Sequence, residues 1–237
     1  MRFCVSAHIS PVFLLGLYPA FVRPLLLRIC YLQDLDVMTG NKTILRKRLR
    51  AARRALNDDQ RRQAAIGLLN RLIELEAFRE ANQIAMYLTN DGEIDPCDVM
   101  QWAWEQGKRC YLPIVIQTNL NSLLFAPVTR STQYVENRYG ISEPVVEEHE
   151  LIGGSELDLV LLPLVGFDNQ GNRIGMGGGF YDTTFEFVRE QAVSKPTMIG
   201  IAHELQRVDA IDAERWDIPL STIVTDKGIY RANFSPD

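Results

Sequence analysis

Four glycines within five residues follow a short apolar run, and this arrangement restricts the possible folds more than any other feature of the chain. The glycines lie in residues 172–182, which read Asn-Arg-Ile-Gly-Met-Gly-Gly-Gly-Phe-Tyr-Asp, and the apolar run occupies residues 159–164. Glycine permits backbone angles with φ > 0 and lets a ligand approach the main chain closely. The pattern therefore predicts a buried strand that leads into a tight loop, with a helix from about Tyr181 to Gln191.

The side chains beside this glycine loop (residues 175–179) indicate an anion site. Successive N–H groups in such a loop can converge on an anion, and a helix that starts at its end adds a positive pole. Arg173 can bind a phosphate bidentately, and Asp182 is a hard oxygen ligand suited to Mg²⁺. Together they indicate nucleotide binding and phosphoryl chemistry. The alternative is a glycine turn without a ligand, and the spacing matches neither the Walker A loop nor the dinucleotide fingerprint.

Strands alternate with helices along the rest of the chain, which predicts a single α/β domain with a mostly parallel central sheet and helices on both faces. Ligands bind such sheets outside the carboxyl ends of the strands, where the glycine loop and residues 91–93 both fall. Two helices are predicted in residues 41–80 and one from 95 to 105. Strands are predicted at 84–88, 109–115, 159–164, 198–202 and 222–225, with weaker candidates at 122–126 and around Ile141.

Composition excludes several classes of protein. The net charge of −5 argues against bulk binding of nucleic acid, and the 46% apolar content is that of an ordinary soluble protein. The four cysteines (Cys4, Cys30, Cys97 and Cys110) have no metal-binding spacing and no disulfide-scaffold density. This usage fits a reducing compartment, and we expect all four to be structural or incidental.

The first 37 residues differ in character from the rest of the chain. They contain strongly apolar stretches that Pro11, Pro19 and Pro24 interrupt, so they suit a membrane span poorly. A weak signal peptide is a second interpretation, and an upstream start codon before a true start at Met38 is a third. We favour the third, which makes residues 1–37 an atypical extension and residues 38–237 the domain.

Basic residues crowd into residues 42–54. Lys42, Arg46, Arg50 and Arg54 recur at i+4 and predict a cationic ridge on one helix. Beside the ridge, an apolar stripe is predicted from Ile44, Leu45, Leu49, Ala52 and Leu56. A solvated surface is the interpretation for Lys47, Arg48 and Arg53. The ridge itself could contact nucleic acid, or one or two of its cations could reach phosphates held by the glycine loop, and spacing alone leaves both open.

Several separated segments together resemble the 5-formyltetrahydrofolate cyclo-ligase family, also called methenyltetrahydrofolate synthetases. They are Lys-Thr-Ile-Leu-Arg at 42–46, Tyr-Leu-Thr-Asn-Asp-Gly-Glu-Ile at 87–94, the block at 172–182, and Trp-Asp-Ile-Pro-Leu at 216–220. The resemblance covers roughly residues 43–232 and implies an α/β fold with a mostly parallel sheet. It also implies ATP-dependent, Mg²⁺-requiring conversion of 5-formyltetrahydrofolate to 5,10-methenyltetrahydrofolate, with release of ADP and phosphate.

Carried over by position, the resemblance implies roles for individual residues. Asp182 and Asp217 would hold Mg²⁺, and Leu88 and Glu93 would line the folate site. Arg173 and Tyr181 would be the catalytic residues, with Tyr181 and Met176 also bordering the folate. ATP would contact Lys42, Arg46, Arg173, Ile174, Gly175, Met176, Gly177, Gly178, Gly179, Phe180 and Tyr181, although Phe180 also suits the core. Many relatives carry Arg where this chain has Thr183, so one possible phosphate contact is absent.

Two functions of other classes compete with the enzyme. One is an ATP- or phosphosugar-binding regulatory domain on the same architecture, and the other is a nucleic-acid-binding protein that uses residues 42–54. Two metal carboxylates argue against the first, and the acidic remainder of the chain argues against the second. We expect ATP and 5-formyltetrahydrofolate as partners, no nucleic acid or membrane, and a monomer in the cytoplasm. His203 is expected to be structural.

Overall fold

The structure, a computed structural model, describes residues 42–115, 121–136, 142–190, 195–212, 218 and 220–232. These residues belong to one compact unit, Lys42–Asp237. The predictions for residues 1–37, for Ile141 and for Asp217 lie outside the described residues. Within the described ranges, no helix is both long enough and apolar enough to cross a membrane.

A seven-stranded sheet forms the centre of this unit, in the spatial order β11-β10-β9-β6-β1-β2-β3. The five central strands run parallel, and the edge strands β3 and β11 are antiparallel to their neighbours. The predicted mostly parallel α/β sheet is therefore confirmed. The strands are β1 (Gln83–Ala85), β2 (Arg109–Val115), β3 (Leu123–Val128), β6 (Leu159–Pro163), β9 (Thr197–Ala202), β10 (Thr222–Thr225) and β11 (Ile229–Arg231).

Among the described residues, two small antiparallel ladders and six helices accompany this sheet. The ladders pair β4 (Tyr134–Glu136) with β5 (Ser142–Pro144), and β7 (Gly166–Phe167) with β8 (Arg173–Ile174). The helices are α1 (Lys42–Arg54), α2 (Asp58–Leu72), α3 (Glu76–Glu80), α4 (Cys97–Glu105), α5 (Phe180–Thr184) and α6 (Glu186–Glu190). Three short 3-10 turns lie at Glu148–Glu150, Gly154–Glu156 and Glu204–Gln206.

The apolar run of residues 159–164 is buried on both faces of the sheet. Leu159 and Leu161 pack into one core cluster with α2 and α4, whereas Val160 and Leu162 pack into a second cluster that includes Phe185. Successive strand residues point to opposite faces, so a strand covered on both sides has no polar positions in alternation. This continuous run is why β6 can be recognised in the sequence, and it places the glycine loop beyond the carboxyl end of a central strand.

Three of the helix predictions differ from the structure. Residues 41–80 contain three helices, α1, α2 and α3, where two were expected. The single helix expected after the glycine loop is two five-residue helices, α5 and α6, that meet at the buried Phe185. The apolar stripe predicted for α1 is also wrong at two of its five positions, since Ile44 is 46% exposed and Ala52 is exposed. Leu49 and Arg53 are the buried residues of α1. Periodicity failed here because the face of α1 that meets the protein contacts carboxylates as well as apolar groups.

Candidate active site

The glycine loop is anchored by the β7–β8 hairpin, which the sequence did not predict. Asp168, 1% exposed, closes the hairpin turn by accepting hydrogen bonds from the N–H groups of Gln170 and Asn172 at 2.9 and 3.0 Å. Its second oxygen accepts from the Asn172 side chain and from the N–H of Ile211, both at 2.9 Å. This carboxylate fixes the turn that directly precedes Arg173, the first residue of β8. The turn residues Asp168-Asn-Gln-Gly-Asn172 were the available signal in the sequence.

The glycine loop itself needs backbone angles that only glycine adopts easily. Gly177 has φ 98° and Gly179 has φ 67°, and Gly179 is the N-cap of α5. Gly175 and Gly177 have no heavy atom within 4 Å of the position that a Cβ would take. All five residues from Gly175 to Gly179 are exposed. The loop is therefore open, but it follows β8 and is not fed directly by β6 as the sequence predicted, because the β7–β8 hairpin lies between them.

A cavity of about 500 Å³ lies against this loop. It is lined by the loop and by cations from the start of α1, so the structure brings together two segments about 130 residues apart in the chain. Arg46 Nε donates a 2.8 Å hydrogen bond to the carbonyl of Gly175. The predicted ATP-site residues all line this cavity: Lys42, Arg46, Arg173, Ile174, Gly175, Met176, Gly177, Gly178, Gly179, Phe180 and Tyr181. Asp182, Thr183 and Glu186 complete its polar wall.

Arg173 and Asp182 form an ion pair at one side of the cavity. The guanidinium of Arg173 donates to the Asp182 carboxylate and to the carbonyl of Ile218. The N–H of Ile218 donates to the same carboxylate oxygen, Oδ1 of Asp182, at 3.2 Å. The side chain of Arg173 is 8% exposed and that of Asp182 is 28% exposed. Asp182 is therefore oriented by a cation while part of its carboxylate faces the cavity.

Tyr181 is the aromatic wall between this cavity and the core. Its ring stacks on Phe185 with centroids 6.4 Å apart and planes 13° from parallel. Burial, followed by the nearby charge of Glu93, raises the pKa of Tyr181 well above its ordinary value. The phenol therefore stays protonated at physiological pH and can donate a hydrogen bond. Phe180 packs against the same core cluster, in agreement with the core role suggested for it.

The turn after β1 is held by three arginines of α1. Asp91 has φ 57°. Its carboxylate accepts hydrogen bonds from Arg50 Nε at 2.6 Å, from Arg53 Nη2 at 2.9 Å, and from Arg54. Arg53 is fully buried, so its assignment to a solvated face was wrong. Lys47 and Arg48 are exposed, as predicted. A buried guanidinium is tolerated here because carboxylates and carbonyl oxygens of other elements satisfy its donors.

This arginine cluster predicts a loss of stability in acid. Burial alone would raise the pKa of Asp91, but hydrogen bonds from the three arginines lower it to about 2 from 3.8. Because the pKa is lower in the folded state, the ionised carboxylate stabilises the protein above pH 4, and this stabilisation is lost as the pH falls through 2. The free energy of unfolding falls between pH 4 and pH 2. We expect this fall to be smaller by about 1 kcal/mol in Asp91→Asn, after discounting for solvent screening. Urea titrations at pH 4, 3 and 2 measure it, and an unchanged decline contradicts it.

Glu93 lines a second cavity, of about 750 Å³. Its Oε1 accepts a hydrogen bond from Arg53 Nη2 at 3.3 Å, and its Oε2 accepts one from the N–H of Asn90 at 3.2 Å. The other lining residues are Arg61, Arg62, Ala65, Ile66, Thr89, Asn90, Asp91, Gly92, Asp95 and Asp98. The charge of Glu93 reaches Tyr181 and Tyr87, whose pKa values it raises in addition to the larger effect of burial. Leu88 is half-buried against the core and lines neither cavity.

The donor groups suit a metal that is shared with a bound phosphate chain. Among the described residues, no three His, Cys, Asp or Glu side chains cluster closely enough to hold a metal by themselves. Mg²⁺ commonly uses one or two carboxylates together with waters and substrate phosphates. The partly exposed carboxylate of Asp182, beside cations that would bind phosphate, fits that mode. The second predicted carboxylate, Asp217, lies outside the described residues.

Three other titratable groups are structural. His203 is 2% exposed, and its Nε2 donates to the carbonyl of Gly92 at 3.2 Å. Burial lowers the pKa of His203, so the ring is neutral and holds the turn that carries Glu93. Cys97 and Cys110 are free, and burial raises the pKa of each thiol to about 12. Such thiols are not activated nucleophiles, which agrees with the expectation for these two cysteines.

Comparison with known proteins identifies the relatives of this chain. A sequence model of the 5-formyltetrahydrofolate cyclo-ligase family matches residues 38–226. The 5-formyltetrahydrofolate cyclo-ligase of Escherichia coli K12 is 35% identical over 182 residues, covering 77% of this chain and 98% of the relative. The Haemophilus influenzae enzyme of the same name is 34% identical, covering 78% and 98%. The structure of Aquifex aeolicus 5,10-methenyltetrahydrofolate synthetase superposes with a TM-score of 0.67 at 27% identity, covering 83% of this chain and 95% of that one.

Proposed function

The chain belongs to the 5-formyltetrahydrofolate cyclo-ligase family, and we propose that it converts 5-formyltetrahydrofolate to 5,10-methenyltetrahydrofolate in an ATP-dependent, Mg²⁺-requiring reaction. The observation that carries the ATP dependence is the first cavity. There the glycine loop, two cations of α1 and the Arg173–Asp182 pair converge on one concave space. An anion with several charges is the ligand that such a lining selects.

The ATP phosphates would lie along the glycine loop. Arg46 already holds the carbonyl of Gly175, so its remaining guanidinium donors and the ammonium of Lys42 can meet phosphate oxygens in the cavity. Helix α5 has five residues, so its dipole adds little and the side-chain cations carry most of the attraction. When bound, Mg²⁺ would neutralise charge on the phosphate chain, with Asp182 as its protein ligand and Asp217 as a second carboxylate in the proposal.

The chemistry explains why the site contains cations and amides and uses no nucleophilic side chain. The oxygen of the N5-formyl group cannot leave as oxide or hydroxide, so it must first be phosphorylated. It attacks the γ-phosphorus of ATP, and the bond from this phosphorus to the β,γ-bridging oxygen breaks, which releases ADP. The resulting N5-iminium phosphate has a good leaving group on the formyl carbon. N10 attacks this carbon, the C–O bond breaks, phosphate leaves with the former formyl oxygen, and N10 loses its proton. Such phosphoryl transfer depends on positioning and charge stabilisation.

Arg173 and Tyr181 are the catalytic residues in this scheme. Arg173 lies at the cavity wall with a fixed guanidinium, which suits it to stabilise charge on the transferring phosphoryl group. Tyr181 remains a neutral phenol within reach of the Glu93 charge, so it can donate a hydrogen bond where folate and ATP would meet. Met176 is 54% exposed in the same cavity lining and offers a polarizable surface to a flat ring.

The folate would be recognised from the turn after β1. Glu93 presents a carboxylate that can accept paired N–H donors from a pterin edge, and its charge reaches Tyr181 at the ATP cavity. Leu88, although half-buried, precedes this turn and keeps its proposed place beside the folate. No membrane or nucleic-acid partner enters the proposal, because Arg50 and Arg54 pair with Asp91 and thereby remove half of the cationic ridge from external partners. We propose a cytoplasmic monomer.

The decisive experiment follows the absorbance of methenyltetrahydrofolate after purified protein is mixed with 5-formyltetrahydrofolate, ATP and Mg²⁺. We expect product only when all three are present, together with one ADP per product. A binding-only domain of the same fold would bind ATP without forming product. Absence of ATP-dependent product would overturn the proposed function.

Glu93→Gln should weaken the binding of folate much more than the binding of ATP. The amide keeps the shape of the side chain but replaces one acceptor oxygen by a donor, so the paired contact with the pterin edge is lost. We expect about a tenfold or greater loss of folate affinity and less than about a twofold change for ATP. Isothermal titration with each substrate alone measures both. A larger loss for ATP than for folate would place Glu93 elsewhere in the reaction.

A further inference from the structure

Arg53 connects α1 to the turn that carries Glu93. Its side chain is 0% exposed, and its three nitrogen atoms all contact oxygen. Nε donates to the carbonyl of Asp91 at 2.8 Å, Nη1 donates to the carbonyl of Leu164 at 3.2 Å, and Nη2 donates to both carboxylates of the turn. One guanidinium thus joins α1, the turn after β1 and the segment after β6.

The turn is packed directly against this part of α1. At Gly92, φ is 74°, and a Cβ there would lie 3.1 Å from the carbonyl oxygen of Arg53. On the other side, His203 donates to the carbonyl of Gly92. The backbone of the turn therefore has little room to move, and the Arg53 guanidinium contacts the carboxylates of both Asp91 and Glu93 on it.

The same helix reaches the ATP cavity at its other end. Arg46, seven residues before Arg53, contacts the glycine loop, and Leu49 packs with Val165 and Ile174 at the root of that loop. Leu164, whose carbonyl accepts from Arg53, also accepts from the Gln206 side chain at 2.6 Å. Helix α1 therefore spans from the glycine loop, which Arg46 contacts, to Glu93, which Arg53 contacts.

From this geometry we propose that Arg53 is a positioning residue for substrate binding, which holds the Glu93 carboxylate in the orientation that receives the folate. This inference rests on the proposed function, because it takes Glu93 to face folate. Arg53 itself is buried behind the turn and acts through Glu93 without touching the substrate.

Charge around Glu93 supports this role. Burial raises the pKa of Glu93, and Arg53 is the strongest influence in the opposite direction. Without Arg53 the pKa of Glu93 rises further, so the carboxylate protonates at higher pH. Among the described residues, the titratable or charged groups around Glu93 are Arg50 and Arg53 of α1, Arg61 and Arg62 of α2, Asp91 and Asp95 near it in the chain, Asp98 of α4, Tyr87 after β1, Tyr181 of α5, and His203 after β9.

The test compares Arg53→Met, Arg53→Lys and the matched control Arg54→Met in the full chain. Arg54 is on the same helix and pairs with Asp91 but has a 55% exposed side chain. Affinities for 5-formyltetrahydrofolate and for ATP are measured separately by titration calorimetry from pH 5 to 8. We expect Arg53→Met to weaken folate about tenfold and ATP less than about twofold, and to move the acid limb of folate binding to higher pH. Arg53→Lys should restore part of the loss, and Arg54→Met should change neither affinity.

Two outcomes would overturn the positioning role: unchanged folate affinity in Arg53→Met, or equal loss for both substrates. If Arg53→Met does not fold, the decision falls to Arg53→Lys with and without Glu93→Gln, since a loss that acts through Glu93 disappears once Glu93 is replaced. Failure of the proposed function has a different signature, because the unsubstituted protein would then form no ATP-dependent product, whatever the affinities of the Arg53 variants. A defective Glu93→Gln beside a normal Arg53→Met contradicts only the role of Arg53.

Discussion

Replacing Asp182 by Asn should reduce kcat/KM by at least about 100-fold while leaving the protein folded. The amide is close in shape to the carboxylate, and its oxygen can still accept from Arg173 and from the N–H of Ile218. What it loses is the negative charge, which the proposal assigns to Mg²⁺ on the ATP phosphates. The concentration of Mg²⁺ needed for half-maximal activity should rise together with the loss of rate. Steady-state assays over a range of Mg²⁺ concentrations measure both.

Asp158→Asn is the matched control for this prediction. Asp158 is also a carboxylate with a cationic partner, since Lys195 lies 2.8 Å from its Oδ1. It precedes β6 at the amino end of the strand, whereas the glycine loop lies beyond the carboxyl end. The control should therefore lose some stability and keep its turnover per folded molecule. Near-normal activity in Asp182→Asn would remove Asp182 from the metal role.

Gly177→Ala should weaken ATP binding about tenfold, whereas Gly175→Ala should have a clearly smaller effect. Neither glycine has a heavy atom within 4 Å of the Cβ position, so the added methyl group is equally unhindered by the protein. The difference is that Gly177 has φ 98° and Gly175 does not have positive φ. Alanine at such a positive φ costs about 1–3 kcal/mol, and relaxation of that strain redirects the N–H groups of the loop.

Calorimetric titration of ATP into the two variants measures this effect, and thermal unfolding provides the control. Gly175→Ala should leave the midpoint of unfolding nearly unchanged, whereas Gly177→Ala should lower it by the part of the backbone strain that relaxation of the loop does not relieve. Equal losses in the two variants would show that the added volume in the cavity matters and that the backbone conformation of the loop does not. Such a result would leave the cavity in place as the ATP site but remove the argument from glycine geometry.

Much of the scaffold around the site could be predicted from local sequence. The run at 159–164 is apolar at every position because both faces of β6 are covered, and the glycines after it mark a loop that needs positive φ. The helix after the loop could not be delimited in this way. Its residues form α5 and α6, and the boundary at Phe185 is set by packing of that ring against Phe125, 60 residues earlier in the chain.

The basic helix shows where local pattern stops being informative. An i+4 spacing states which residues share a face, and it placed Lys42 and Arg46 together correctly. It does not state what that face meets. Arg53 looked like a surface residue, because a buried guanidinium is favourable only when several oxygen atoms surround it, and those atoms come from residues 91, 93 and 164.

The sequence by itself therefore determined the family, the α/β class, and the residue types of the glycine loop, since these follow from motifs and from contacts within a few residues. Only the tertiary structure decided that α1 places Arg46 on the loop 129 residues away, pairs Arg173 with Asp182, and buries Arg53 behind Glu93. The physical reason is that the free energy of a buried or paired charge depends on its partners. Those partners are brought into place by the packing of whole elements, which no local spacing records.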